Sequence, residues 1–380
     1  MKYLCLILLA TSVTGRFNDD FYQQLAKDNA NKNLISSPLS AEIVMSMVYM
    51  GAGGKTAQEM RNVLKLSADK NEVARKYKEF LTNLEGREKV ALLDLANRIY
   101  VNDKHTLVPE FNQVVRESFK AEAEAISLKD TTKAASIINK WVKDQTRDRI
   151  KSIVKKEDLS NAFIMVLLNA IYFKGQWQYK FDPVRTRKAD FRITDQKREP
   201  IQMMSQYVTL KAGYIPHLDA RVIELPYSNS SLYMVIFLPE KVDGLPELEK
   251  KIAGFSGNLP RVQVYLHLPK FKIEFTAELN KILSTMGLKD AFSDNADFRG
   301  LVKSSSAKIS KVIQKAFIEV NEEGAEAAAL SDLDMMVPIC VGCGGRHTAP
   351  FLFYADHPFA YVIRDKNTVY FQGHFVKPGQ

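Results

Sequence analysis

Apolar and polar positions alternate along this chain in two distinct rhythms. Ser37-Pro38-Leu39-Ser40 opens a helix, with a serine cap followed by proline at the first helical position. Ile43, Met47 and Met50 continue it at helical spacing. A second helix is predicted over Thr132 to Ile150, with Ala134, Ile138, Trp141 and Val142 on one side and Lys140, Lys143 and Asp144 on the other. A third runs from Glu278 to Met286, closed by Gly287. Strand patterns dominate later. Phe163 to Phe173, Leu232 to Leu238 and Val262 to Leu268 are largely apolar runs, and the last is bounded by Pro260 and Pro269. Val312 to Val320, Phe351 to Tyr354, Ala360 to Ile363 and Val369 to Val376 follow the same logic. Helices and strands interleave without a regular βαβ period, which predicts an α+β fold.

Composition adds little until the ends are read. The chain has 380 residues, 46% of them apolar, and its 18 Gly and 14 Pro are scattered rather than gathered into a linker. One domain is expected. Met1-Lys2-Tyr3-Leu4-Cys5-Leu6-Ile7-Leu8-Leu9-Ala10 places one charge before a short apolar run, and small residues follow up to Gly15. That is the anatomy of a secretory signal over residues 1–15, with the domain proper at 16–380; a buried N-terminal strand is the alternative. The run is shorter than the roughly 20 residues a membrane span needs, and no membrane association is expected. Asn229-Ser230-Ser231 is an N-glycosylation sequon just before a strand, where a loop is expected.

The net charge of +9 is spread through groups such as Arg75, Lys76, Lys78 and Lys140, Lys143, Arg147, Arg149. Solvated helix faces account for them; attraction to a sulfated polyanion is the competing reading. Nothing marks a nucleic-acid motif.

Several apparent chemical motifs fail. Gly51-Ala52-Gly53-Gly54-Lys55-Thr56 looks like a phosphate loop, but Tyr49 stands where the leading glycine belongs, and the segment follows a helix rather than a strand. No nucleophile elbow or zinc-protease motif is present, and the six histidines lack metal-ligand spacing. Cys340 and Cys343 remain once Cys5 leaves with the signal. They read as two loop thiols or a small strained disulfide, and one pair cannot complete a zinc site. The sequence nominates no catalytic residue, metal or cofactor.

Residues 321 to 337 are unusual. Read as a strand, positions 325, 327, 329, 331, 333, 335 and 337 are Ala, Ala, Ala, Ser, Leu, Met and Val. Positions 326 to 336 on the other face are Glu, Ala, Leu, Asp, Asp and Met. One face is small and then apolar, as a strand with one buried side requires. An Ala-rich helix is the alternative, and the segment can be both in two states.

Val320-Asn321-Glu322-Glu323-Gly324-Ala325-Glu326-Ala327-Ala328-Ala329 resembles the hinge of an inhibitory serpin, close to arthropod members. The resemblance covers the whole mature chain. It includes Asn33 to Ser40, the false phosphate loop as a helix-to-helix turn, Asn169 to Trp177, Leu268-Pro269-Lys270-Phe271 and Asp356 to Arg364. It implies three β-sheets, eight or nine helices and an exposed reactive loop over about 322–350. It also implies a suicide mechanism. A protease cleaves the loop, and the freed hinge enters the central sheet as a new strand before the acyl-enzyme is hydrolysed. The target protease is the implied partner, and the molecule is expected to be a monomer. Ser37, Ser40, Asn169, Trp177 and Gln314 fall in the regions where that sheet opens. The family usually has His at the last of these, so altered energetics are expected there, with insertion retained.

Counting from Glu322 as the family does lands on Pro338, a poor residue before a cut. Val337-Pro338 then makes Ile339 the bait and Ile339–Cys340 the bond; Arg346–His347 is the rival. The resemblance leaves two other functions open: a carrier, chaperone or storage serpin, and inhibition of a cysteine protease.

Overall fold

The computed structural model describes residues 11–85, 91–253, 255, 257–303, 307–325 and 349–379. Its helices are α1 (Thr11–Asp28), α2 (Pro38–Tyr49), α3 (Gly54–Leu64), α4 (Lys70–Glu85), α5 (Pro109–Phe119), α6 (Thr131–Gln145), α7 (Leu245–Glu249) and α8 (Asn280–Thr285). The first strands are β1 (Leu34–Ser36), β2 (Ala91–Asn102), β3 (Glu122–Ile126), β4 (Met165–Gln176), β5 (Arg187–Arg192), β6 (Arg198–Ile215), β7 (Ala220–Pro226) and β8 (Tyr233–Pro239). The rest are β9 (Arg261–Pro269), β10 (Phe271–Glu278), β11 (Ile309–Val320), β12 (Gly324–Ala325), β13 (Phe351–Tyr354), β14 (Phe359–Arg364) and β15 (Val369–Phe375).

The α+β expectation is met. A central sheet runs β10-β11-β4-β2-β3, with β12 attached to one end of β4. The other strands hydrogen-bond into one nine-stranded sheet, in which β6 joins β5, β9 and β13 on one side to β7, β8, β14, β15 and β1 on the other. The first part of β6 pairs with β5 and β9, and its last residues pair with β7.

The central sheet is covered on both faces, which is why its strands read as unbroken apolar runs. Along β4, Leu167, Ile171 and Phe173 face the main core with α2, while Val166, Leu168, Ala170 and Tyr172 face α6. Helix α6 contributes Ala134, Ile138 and Val142 to that second layer. Asp130 caps it by accepting from the N–H groups of Thr132 and Lys133, each at 3.0 Å.

Two predicted helix ends are corrected. The helix expected to reach Ile150 stops at Gln145. The Thr146 hydroxyl accepts from the Ile150 N–H at 3.0 Å, and Arg147 and Asp148 adopt positive φ. The helix expected from Glu278 starts at Asn280 instead, because Glu278 is held extended opposite Ile313 in the β10–β11 ladder.

The glycine-rich turn between α2 and α3 is packing, not phosphate chemistry. A Cβ on Gly53 would lie 2.5 Å from Asp297 Oδ2, and the buried Thr56 hydroxyl donates to Asp290 Oδ2 at 2.5 Å. Two carboxylates therefore stand where a phosphate would need cations. Among the described residues no helix is long and apolar enough to cross a membrane. Helix α1 begins before Gly15, and its buried Phe17 and Phe21 follow the expected signal cut. Asn229 sits exposed in the β7–β8 turn at φ 48°, a loop location as expected.

Candidate functional site

Strands β11 and β4 are parallel neighbours, paired from Ile309↔Met165 to Phe317↔Tyr172. There the ladder ends, although β11 runs on to Val320 and β4 to Gln176. Beyond that point the chain reverses and returns as β12. Gly324 pairs antiparallel with Gln176, and Ala325 with Gly175. Two of the residues expected to form the hinge thus pair with β4 past the end of its ladder with β11.

The reversal is built by Asn321. Its side-chain oxygen accepts from the N–H groups of Glu323 and Gly324 at 3.0 and 3.2 Å, and its own N–H donates to the Gly324 carbonyl at 2.9 Å. Gly324 has a φ of 142°, and a Cβ there would lie 2.1 Å from the Gly175 carbonyl oxygen, so only glycine fits. Trp177 fastens the turn to β4. Its indole donates to the Asn321 carbonyl at 3.0 Å, its backbone N–H donates to the Glu323 carbonyl at 2.9 Å, and its ring stacks on Tyr227 at 4.8 Å.

Two of the three expected hinge glutamates, Glu322 and Glu323, are described, and each is paired. Glu322 accepts from Lys270 at 2.7 Å and from the Thr186 hydroxyl at 2.8 Å. Burial by itself would raise its pKa, but the bonds from Lys270 and Thr186 outweigh this and hold it below the ordinary value. Glu323 pairs with Lys180 at 2.6 Å. Lys270 belongs to the Leu-Pro-Lys-Phe motif; Thr186 and Lys180 carry no sequence signal that would have nominated them.

Eight residues down β4 from Trp177, roughly 26 Å at 3.3 Å per residue, lies a buried polar cluster. Gln314 and Asn169 are register partners, and Gln314 Nε2 donates to Asn169 Oδ1 at 2.7 Å. The same amide donates to the Ser37 carbonyl at 2.8 Å, and its oxygen accepts from the Ser37 N–H at 3.0 Å. Asn169 donates to Asn97 of β2 at 2.6 Å and also to the Ser40 hydroxyl. The Ser37 hydroxyl caps α2 through the Ser40 N–H at 3.2 Å. Ser37, Ser40 and Asn169 are fully buried, and Gln314 is 2% exposed. One network therefore ties α2 to β11, β4 and β2. Of the five sequence-nominated residues, four meet here and Trp177 stands at the hinge. Asn97 was missed, since a lone asparagine in an apolar strand carries no local signal.

A second set of anchors follows β13. Arg192 clasps Asp356 through Nε at 3.1 Å and Nη2 at 2.8 Å, and His357 Nε2 lies 2.7 Å from the Pro239 carbonyl oxygen. Burial opposes the Asp356 charge, yet His357 and Arg192 hold its pKa below the carboxylate range. Glu326, Ala327, Ala328, Ala329, Ile339, Cys340, Cys343, Arg346 and His347 lie outside the described residues.

An interrupted parallel ladder with a glycine-hinged strand at its mouth defines a class of protein, and comparison with known families agrees. The family model described as Serpin (serine protease inhibitor) matches residues 12–378. The chain belongs to the serpin family. It is 49% identical to Serine protease inhibitor 42Dd of Drosophila melanogaster over 380 residues, 100% of both chains. It is 34% identical to a leukocyte elastase inhibitor of Xenopus laevis, over 97% of this chain and 99% of that one. Among solved structures it resembles Serpin48, a highly specific serpin of the insect Tenebrio molitor, with a TM-score of 0.89 and 32% identity over 97% of this chain and 98% of that one.

Proposed function

We propose that this chain is a secreted suicide inhibitor of a serine protease. The observation that carries the reading is the pairing of Gly324 and Ala325 with β4 at the point where β4 and β11 part. A protease serine attacks the bait carbonyl and forms an ester, and the bond's nitrogen leaves as a new N-terminus. The freed arm then continues what β12 begins. It enters between β11 and β4, antiparallel to both, and one parallel ladder is exchanged for two antiparallel ones, which are somewhat more stable per residue. Residues 325, 327, 329 and 331, small throughout, would be buried as it passes. The names of the relatives support a serine protease as partner, and the apolar leader supports secretion. Ile339–Cys340 is the bond we favour over Arg346–His347.

The test is incubation with a panel of serine and cysteine proteases, followed by denaturing electrophoresis and mass spectrometry of the released fragment. A denaturant-stable complex and a new N-terminus at Cys340 are expected; a terminus at His347 moves the bait to Arg346. Ala327→Arg asks the sheet to bury an unpaired charge, at several kcal/mol, and should turn the inhibitor into a substrate. Clean cleavage of the parent without any complex would overturn the inhibitory reading.

A further inference from the structure

The sequon Asn229-Ser230-Ser231 falls beside the hinge, in the turn between β7 and β8. The Tyr227 N–H donates to the Leu232 carbonyl at 3.0 Å and closes the turn, and the Ser230 hydroxyl accepts from the Leu232 N–H at 3.1 Å. Asn229 stands at the tip with a φ of 48°, a left-handed conformation that asparagine tolerates. It is exposed, and so is Ser231. Among the described residues nothing hydrogen-bonds the Asn229 amide. The turn therefore presents to solvent the two side chains that N-glycosylation requires.

The base of this turn is fastened to the end of β4. The Ser228 N–H donates to the Gln176 carbonyl at 2.7 Å, and the Gln178 N–H donates to the Pro226 carbonyl at 2.9 Å. The hinge holds the same stretch from its other edge. The Trp177 N–H donates to the Glu323 carbonyl, and Gly324 pairs with Gln176. Backbone groups of successive residues in an extended chain point to opposite edges, so Gln176 and Gln178 reach one edge of β4 and Trp177 the other. Gly175 shows which edge is which. It pairs with Ala91 of β2 on one side and Ala325 of β12 on the other, and the remaining neighbour of β4 in the sheet is β11. The sequon turn thus continues the β2 edge of β4, while β12 lies on the β11 edge, where the proposed insertion would take place.

We infer that Asn229 carries an N-linked glycan, and that it stands on the β2 edge of β4, clear of the path of the inserting arm. The inference rests on the proposed secretion, which brings the chain to the transferase that reads the sequon. In that step the Asn229 amide nitrogen bonds to C1 of an oligosaccharide carried on a polyisoprenyl diphosphate. The C1–O bond breaks, the diphosphate leaves with its electron pair, and the amide gives up one proton.

The test expresses the full chain, leader included, in insect cells and follows what reaches the medium. The secreted protein should lose mass when treated with an amidase that releases N-linked glycans. Asn229→Gln and Ser231→Ala should each abolish that loss, whereas Ser230→Ala leaves the sequon intact and should keep it. The glycosylated parent and Asn229→Gln should then trap the same protease at equal rates, with equal numbers of inhibitors consumed. Secreted protein that loses no mass overturns the glycan and leaves secretion standing. A chain that stays in the cytosol overturns secretion and the glycan together. A glycosylated parent that is cleaved where Asn229→Gln traps puts the glycan in the arm's path and overturns its placement. Trapping by neither form overturns inhibition and leaves the modification standing.

Discussion

Glu322 carries the hinge's attachment to the fold, and its charge makes that attachment pH-dependent. Its folded pKa is held below the ordinary glutamate value, because the bonds from Lys270 and Thr186 outweigh burial. The stability it adds is therefore complete above that value and is lost as pH falls through the folded one. Glu322→Gln should melt below the parent at pH 7, and the gap should close as pH falls below the ordinary glutamate value and through the lowered folded one. A gap constant with pH would remove the charge from the account. Gln314 is the second residue to test. Gln314→Leu leaves the Ser37 N–H and Asn169 Oδ1 buried without their present partner, at about 1–3 kcal/mol each. The intact protein's midpoint should fall by several degrees. In the cleaved form, where the proposed insertion would already have parted β11 and β4, the fall should be smaller. Equal falls in both forms would mean that the cluster does not guard the seam.

At the scale of elements, α6 and the segment after it are tied to β11, one of the two strands that the proposed insertion would separate. Asn139 of α6 donates to the Val154 carbonyl at 2.8 Å and accepts from the Ile153 N–H at 2.8 Å. From the other side, Lys315 of β11 donates to the Ser152 carbonyl at 2.5 Å and pairs with Glu274 of β10 at 2.6 Å. Lys311 adds Asp158 at 3.3 Å and Glu278 at 3.2 Å. Movement of β11 away from β4 has to strain or break the Lys315 tie. Lys315→Met keeps the apolar stem and removes the tie. The variant should insert its loop faster and consume fewer inhibitors per trapped protease, with a lower midpoint for the intact form. A titration against the trapped protease measures the first effect, and a larger number consumed would show that the tie guides insertion instead.

Among the described residues, Gly324 and Ala325 pair with β4 beyond the end of its ladder with β11, and the proposed function has the rest of the arm follow them into the central sheet. The proposed native state is therefore a kinetic trap rather than the most stable arrangement of the chain. Nicking the loop anywhere between Val337 and His347 should raise the unfolding midpoint by roughly 10 °C or more, at about 2–4 °C per kcal/mol gained. Paired melts of nicked and intact protein measure this, and equal midpoints would favour a carrier, chaperone or storage role.

The sequence by itself determined the features that repeat locally. The serine-proline start of α2, the runs that became β4, β8, β9 and β11, and the small-residue face of the hinge are all one- or two-turn signals carried by neighbouring residues. The false phosphate loop could be rejected the same way, from one tyrosine and the element before it. Tertiary structure decided register, and with it the site. Ser37, Asn97, Asn169 and Gln314 come from four distant stretches, and no local pattern says that they share one hydrogen-bonded cluster. Glu278 joined a strand instead of a helix because its partner Ile313 held it extended. The contacts of Lys270 and Thr186 with Glu322, and of Trp177 with Asn321, likewise arise only once the strands are paired. Apolar periodicity states which face of an element is buried. Which other element covers it, and in what register, is set by the free energy of the assembled sheet, summed over residues far apart in the chain.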